Sequence, residues 1–287
     1  MRRGPRWPND PCFGRAISAA QWNVLVAMLT SVPRSSSSLR DVVSAAEWDV
    51  RVKLAASYRL LAHSGVTDLT YNHLSARIPD HPDRYAIKGE HELFDEVTAS
   101  SLLVYDFSGE RIYPSEDSVS RGGLVIHGGV MEARPDIMAV FHTHTAANIA
   151  VSAMRCGLLP ISQHSVRFHN RIGYHDFGGF EFDLKGRERL VRDLEGKLLL
   201  MLRNHGVLAC GRSIPEAYIN HHFLEMACQS QAAALAAGGP DALYIIPEDE
   251  CEAAALQAAK AGHRDENHRD WRALMRLADR LDPAFRD

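Results

Sequence analysis

The polar and apolar positions along this chain change period several times, and each change marks a different element. Val50, Leu54, Tyr58 and Leu61 recur at helical spacing, and Ser64-Gly65 closes that run. Leu74 to Ile78 alternates as a short strand and leads into a turn from Pro79 to Pro82. Tyr85 to Lys88 and Leu102 to Asp106 read as further strands, the second ending at Ser108-Gly109. The pattern then predicts a helix from about Gly123 to Glu132, stopped by Arg134-Pro135-Asp136. A strand over Ile137 to Thr145 and a helix over Ala146 to Ala153, ended near Gly157, come next. Lys197 to Arg203 is almost wholly apolar, as expected for a strand buried on both faces. Ser213-Ile214-Pro215-Glu216 joins a capping box to an early proline, opening a helix that Gly238-Gly239-Pro240 stops. One more helix is expected around Trp271 to Leu281.

Strands and helices mix throughout, so the expected fold is an α/β domain over residues 44–240. Residues 1–43 read as an N-terminal extension and Ser-rich linker. That stretch is rich in Arg and Pro, holds one short helix at about Ala16 to Leu29, and ends in Ser35-Ser36-Ser37-Ser38. Residues 241–287 read as a charged C-terminal arm, and no internal repeat is present.

Composition narrows the class without naming a function. Hydrophobic residues at 46% and charged residues at 24% are those of a soluble globular protein with a substantial core. A formal charge of −4 and the lack of a Lys/Arg run point away from nucleic acid and anionic membrane as partners. No apolar run is long enough to span a bilayer. Gln21-Trp22-Asn23 interrupts the stretch Ile17 to Val32, which makes a signal peptide the weaker reading. The five cysteines (Cys12, Cys156, Cys210, Cys228, Cys251) are scattered and form no Cys-x-x-Cys, as expected for reduced thiols in the cytoplasm.

Histidine is abundant, at 15 residues, and its placement carries the candidate chemistry. In His142-Thr143-His144 the two imidazoles sit at i and i+2 of an expected strand, so both face one side and can reach one ion. His205, in Arg203-Asn204-His205-Gly206, follows a buried strand where glycine permits a tight turn. Three neutral imidazoles suit a divalent metal, Zn²⁺ first with Fe²⁺ or Mn²⁺ as alternatives. They leave a coordination position open for substrate or water. The bland alternative is a pair of surface histidines on an edge strand.

The order of motifs resembles the class II aldolase/adducin family along about Trp48 to Gly239. The resemblance is carried by Thr70-Tyr71-Asn72-His73-Leu74-Ser75-Ala76-Arg77 and by Phe94-Asp95-Glu96-Val97-Thr98-Ala99-Ser100-Ser101-Leu102. It continues through Ala133-Arg134-Pro135-Asp136 into His142-Thr143-His144, then Gly157-Leu158-Leu159-Pro160-Ile161-Ser162. Leu202-Arg203-Asn204-His205-Gly206 with Glu216-Ala217 completes the set. Adducin heads and bacterial proteins like them match better than the sugar-phosphate aldolases. The resemblance implies a three-layer α/β/α domain with a central, mainly antiparallel sheet, and a homotetramer with sites at subunit boundaries. It also implies a metal on His142, His144 and His205, with Asn72 lining the substrate pocket. Such a metal polarises a carbonyl and stabilises the enediolate left when a carbon–carbon bond breaks.

Two departures from the family pattern bear on chemistry. Sugar-phosphate aldolases carry a catalytic carboxylate four residues before a helical histidine. Counted back from His127, that position is Gly123, preceded by Arg121-Gly122, and the serines that help bind phosphate are also absent. Glu116 lies eleven residues before His127, among turn-forming residues, and reads as a solvated turn. Arg121 is a candidate to hold a substrate carboxylate, since guanidinium matches that planar anion with two bonds. Its plain alternative is a surface arginine. The turn Lys88-Gly89-Glu90-His91 also differs, and Glu90 or His91 could enter the pocket. Where the aldolases take a tyrosine from a neighbouring subunit as proton donor, this chain has Gln163-His164. His164 is therefore the candidate proton shuttle, or else an interface histidine.

The leading expectation is a metal-dependent carbon–carbon lyase, of aldolase or decarboxylase type, acting on a small oxo- or hydroxy-acid. A three-His non-heme iron oxygenase and a non-catalytic adducin-like assembly module remain as alternatives.

Overall fold

Helix α1 (Ala45–His63) starts where the Ser44 hydroxyl accepts the Glu47 amide at 3.0 Å, and Ser64 caps its other end. The computed structural model describes residues 38–113, 115–179, 184–260 and 266–287. The short helix expected near residues 16–29, and the serine run through Ser37, lie outside them.

Seven strands follow: β1 (His73–Ile78), β2 (His81–Ile87), β3 (Leu103–Asp106), β4 (Ala139–Thr143), β5 (Ile172–His175), β6 (Leu199–Leu202) and β7 (Gly206–Gly211). They form one sheet in the order β3-β2-β1-β4-β7-β6-β5, antiparallel except where β5 runs parallel to β6. Between β3 and β4 lie α2 (Arg121–Gly123), a π-helical turn (Leu124–Gly128) and α3 (Gly129–Ala133). The longer helices that follow are α4 (Ala146–Ala153), α5 (Leu184–Leu194), α6 (Ile214–Gly238), α7 (Glu248–Lys260) and α8 (Arg269–Leu281).

Period-two alternation divides the side chains between two cores, one on each face of the sheet. Leu74, Ala76 and Ile78 of β1 and Phe141 of β4 pack with α1 and α6 through Leu54, Tyr58, Tyr218 and Leu224. Val140, Ile87 and Leu208 point the other way, onto Met131, Val130, Leu190 and Leu194. This is the expected α/β/α layering around a mainly antiparallel sheet. One buried ion pair ties the first layer: Arg51, 0% exposed, lies 2.8 Å from Glu47 and donates to the Leu102 carbonyl at 2.7 Å.

The segment after residue 240 packs onto this domain. Trp271, Ala278 and Phe285 join the first core, and the Ala99 and Ser100 amides donate to the Phe285 and Asp287 carbonyls. Among the described residues no helix is long and apolar enough to cross a membrane. Strands β5 and β7 and helices α5 and α7 were not legible in the pattern. Strand β7 is a short apolar run between two glycines, which lower strand propensity wherever packing does not compensate.

Candidate metal centre

Strand β4 lies between β1 and β7, with His142 paired in register to His73 on one side and Leu208 on the other. His144 stands one residue beyond the end of β4. Its amide donates to the Asn72 side-chain oxygen at 2.8 Å, and its ring Nδ1 donates to the Asp68 carboxylate at 3.0 Å. His205 arrives on the tight turn between β6 and β7. Asn204 there takes a left-handed φ of 59°, and Gly206 passes so close to β4 that an added Cβ would meet the Thr143 carbonyl oxygen at 2.4 Å. The Asn-His-Gly motif is thus a backbone requirement as well as a side-chain one.

Hydrogen bonding assigns the ring tautomers. Nδ1 of His142 donates to the Val207 carbonyl at 2.9 Å, as Nδ1 of His144 does to Asp68, so the Nε2 atom of each neutral ring is a bare lone pair. Yet the two Nε2 atoms lie 2.9 Å apart, and Nε2 of His205 is 3.0 Å from that of His144. Bare nitrogens repel at that distance unless a cation sits among them. A tetrahedral zinc with bonds of about 2.0–2.1 Å holds its nitrogens roughly 3.3 Å apart, close to this spacing. The protonation states agree. Burial, and then neighbouring His144, hold His142 far below the ordinary histidine range. Burial, His144 and His175 bring His205 down to about 4. The donor set therefore fits a divalent cation.

The three rings line a cavity of about 480 Å³ whose wall also carries Tyr71, His73, Glu90, His91 and Arg121. Arg121 is exposed at its mouth and has no ion-pair partner among the described residues. Glu90 and His91, the two residues of the Lys88-Gly89-Glu90-His91 turn expected to be able to enter the pocket, are both on the wall, and the Glu90 carboxylate accepts from Ser118. Glu116 is exposed and off it. Gly123 is packed over: a Cβ there would lie 3.0 Å from Val119 and 3.4 Å from Ile87.

The structure does not bring every expected residue to the cavity. Asn72 is 0% exposed and lies beneath the wall, its oxygen on the His144 amide and its Nδ2 without a partner. His164 stacks on Phe223, with ring centroids 5.4 Å apart, away from the three histidines of its own chain. The loop behind it is pinned by Tyr174, whose hydroxyl accepts the Leu158 amide at 3.0 Å.

Sequence reasoning missed several groups. Nδ1 of His73 lies 2.7 Å from Nε2 of His127, whose Nδ1 is 2.5 Å from the Ser75 hydroxyl. Lys88 is buried, and its ammonium donates to the Thr70 and Gly89 carbonyls at 2.9 and 3.0 Å. His221 on α6 meets the Thr143 hydroxyl at 2.8 Å behind β4. A signal existed for the first group: His73, Ser75 and Arg77 are polar at every second position of a strand whose intervening residues are apolar. A face that is polar and yet buried demands partners.

The comparisons with known proteins agree with this architecture. Residues 52–232 match the Class II Aldolase and Adducin N-terminal domain. A Caulobacter vibrioides protein named for the class 2 aldolases is 40% identical over 250 residues, which cover 87% of this chain and 96% of that one. Rat alpha-adducin is 34% identical over 91% of this chain, though the match takes up only 37% of the adducin. The crystal structure of an aldolase II superfamily protein from Pseudomonas syringae superposes with a TM-score of 0.83 at 45% identity, covering 87% of this chain and 99% of that one. The chain belongs to the class II aldolase and adducin family.

Proposed function

We propose that His142, His144 and His205 hold a divalent metal, zinc first with iron or manganese as alternatives. On this reading the protein is a metal-dependent carbon–carbon lyase acting on a small oxo- or hydroxy-acid. The observation that carries the reading is the pair of bare Nε2 atoms held 2.9 Å apart by hydrogen bonds on their other ring nitrogens. When bound, the metal supplies a Lewis acid for a carbonyl oxygen. The chain supplies the rest. Arg121 at the cavity mouth takes the substrate carboxylate through a two-pronged contact. Asn72, beneath the wall, accepts the His144 amide and so positions that ring for the metal. His164 serves as the proton shuttle in a homotetramer, entering the site of a neighbouring subunit.

Metal analysis of protein purified without added metal tests the reading. Stoichiometric zinc supports the lyase, iron with oxygen consumption supports an oxygenase, and absence of metal supports a non-catalytic module of adducin type. His205→Ala is expected to abolish metal retention, and unchanged retention removes that residue from the site. An Ala variant of His164 with normal metal and normal turnover ends its role.

A further inference from the structure

We propose that His73 presents an Nε2–H to the cavity as a fixed hydrogen-bond donor, for the substrate oxygen on which negative charge gathers. The identity of that oxygen rests on the lyase reading above; the tautomer does not.

Ser75 is 0% exposed, and its hydroxyl has a single partner among the described residues, Nδ1 of His127. A hydroxyl carries one proton, and a buried one must place it on an acceptor. The proton therefore points at His127, and Nδ1 of that ring is bare. A neutral imidazole bare at Nδ1 carries its hydrogen on Nε2, which donates to Nδ1 of His73. His73 accepts there and must carry its own hydrogen on Nε2. The opposite direction would leave the Ser75 proton with no acceptor in the interior. His73 is 9% and His127 0% exposed, and no carboxylate hydrogen-bonds either ring among the described residues, so nothing there holds a second ring proton.

Nε2 of His73 has no partner among the described residues and is open to the cavity, beside the three rings at the metal centre. His73 and His142 are paired across β1 and β4, with ring centroids 5.0 Å apart. Four of the five histidines lining the cavity thus divide the roles. Three turn lone pairs toward one point, while the fourth has its lone pair occupied by His127 and offers a hydrogen instead. The π-helical turn at Leu124–Gly128 carries His127 and brings its ring over β1. A neutral donor fixed before the substrate arrives stabilises developing charge without reorganising.

Two measurements test this. In protein labelled with ¹⁵N at histidine, long-range ¹H–¹⁵N correlation spectra show which ring nitrogens carry hydrogen. His73 and His127 are both expected as the Nε2–H form, and Ser75→Ala is expected to shift His127 toward the Nδ1–H form. A wild-type His73 protonated on Nδ1 and bare at Nε2 overturns the proposal. The second measurement is calorimetric binding of oxalate, a planar dianion, to the zinc-loaded protein. His73→Phe is expected to weaken oxalate about tenfold or more, the usual worth of a hydrogen bond to a charged group, and His73→Gln to restore part of the loss. Equal oxalate affinity in wild type and His73→Phe overturns the donor role. Zinc-loaded wild type that takes no oxalate overturns the oxo-acid reading instead, leaving the tautomer result standing.

Discussion

Replacing Asp68 with alanine removes the carboxylate that holds the His144 ring while leaving its backbone in place. The Asn72 side chain continues to accept the His144 amide at 2.8 Å, so the strand end stays put and only the orientation and basicity of the ring change. Partners of this kind are worth roughly 10–100-fold in metal affinity. The Asp68 side chain is 42% exposed, so water competes for the same ring hydrogen. The lower end applies: about tenfold, or ~1.4 kcal/mol. Zinc transfer from the loaded protein to a chromogenic chelator gives the affinity, and thermal melting of metal-free protein reports the fold. Asp68→Ala should release zinc about tenfold more readily with an unchanged metal-free melting temperature. Asp68→Asn, which keeps an acceptor but loses the charge, should fall between. Zinc affinity in Asp68→Ala equal to wild type would refute the reasoning, because His144 would then need no outer partner.

Three further outcomes follow from the packing. Gly206→Ala places a Cβ 2.4 Å from the Thr143 carbonyl oxygen, and overpacking there should cost about 1–3 kcal/mol along with zinc retention. An unchanged melt and metal content would show that β4 and β7 do not approach so closely. Glu47→Ala strands the Arg51 charge in the interior and should cost roughly 3–5 kcal/mol in denaturant unfolding; a loss near zero would mean Arg51 finds water. His221 is buried, which brings its pKa down to about 3 from an ordinary value near 6.5. Below pH 6.5 the unfolded ring takes a proton that the folded ring refuses until about pH 3, so stability falls with acid across that window. His221→Leu should flatten the pH dependence between about 6 and 4 by up to ~1.4 kcal/mol per pH unit, and equal slopes in the two proteins would count against a buried neutral His221.

The sequence by itself determined the local elements whose signals are local. Ser213 with Glu216 starts α6, the helical spacing of Val50, Leu54, Tyr58 and Leu61 marks α1, and alternation in Leu74 to Ile78 gives β1, because capping bonds and element periodicity involve residues a few positions apart. His142 and His144 were legible for the same reason, being two residues apart where β4 ends. His205 needed a motif, and its meeting with them depends on β6 and β7 returning the chain across 61 residues. Only the tertiary structure decided which polar groups became partners. Asp68 reaches His144 from 76 positions away, His127 reaches His73 from 54, and Lys88 reaches the Thr70 carbonyl from 18. Nothing in the pattern of single residues encodes those distances, because a hydrogen-bond partner is selected by sheet order and register. Asn72 shows the same division: its motif marks it as important, while the fold sets it under the wall with its oxygen on His144.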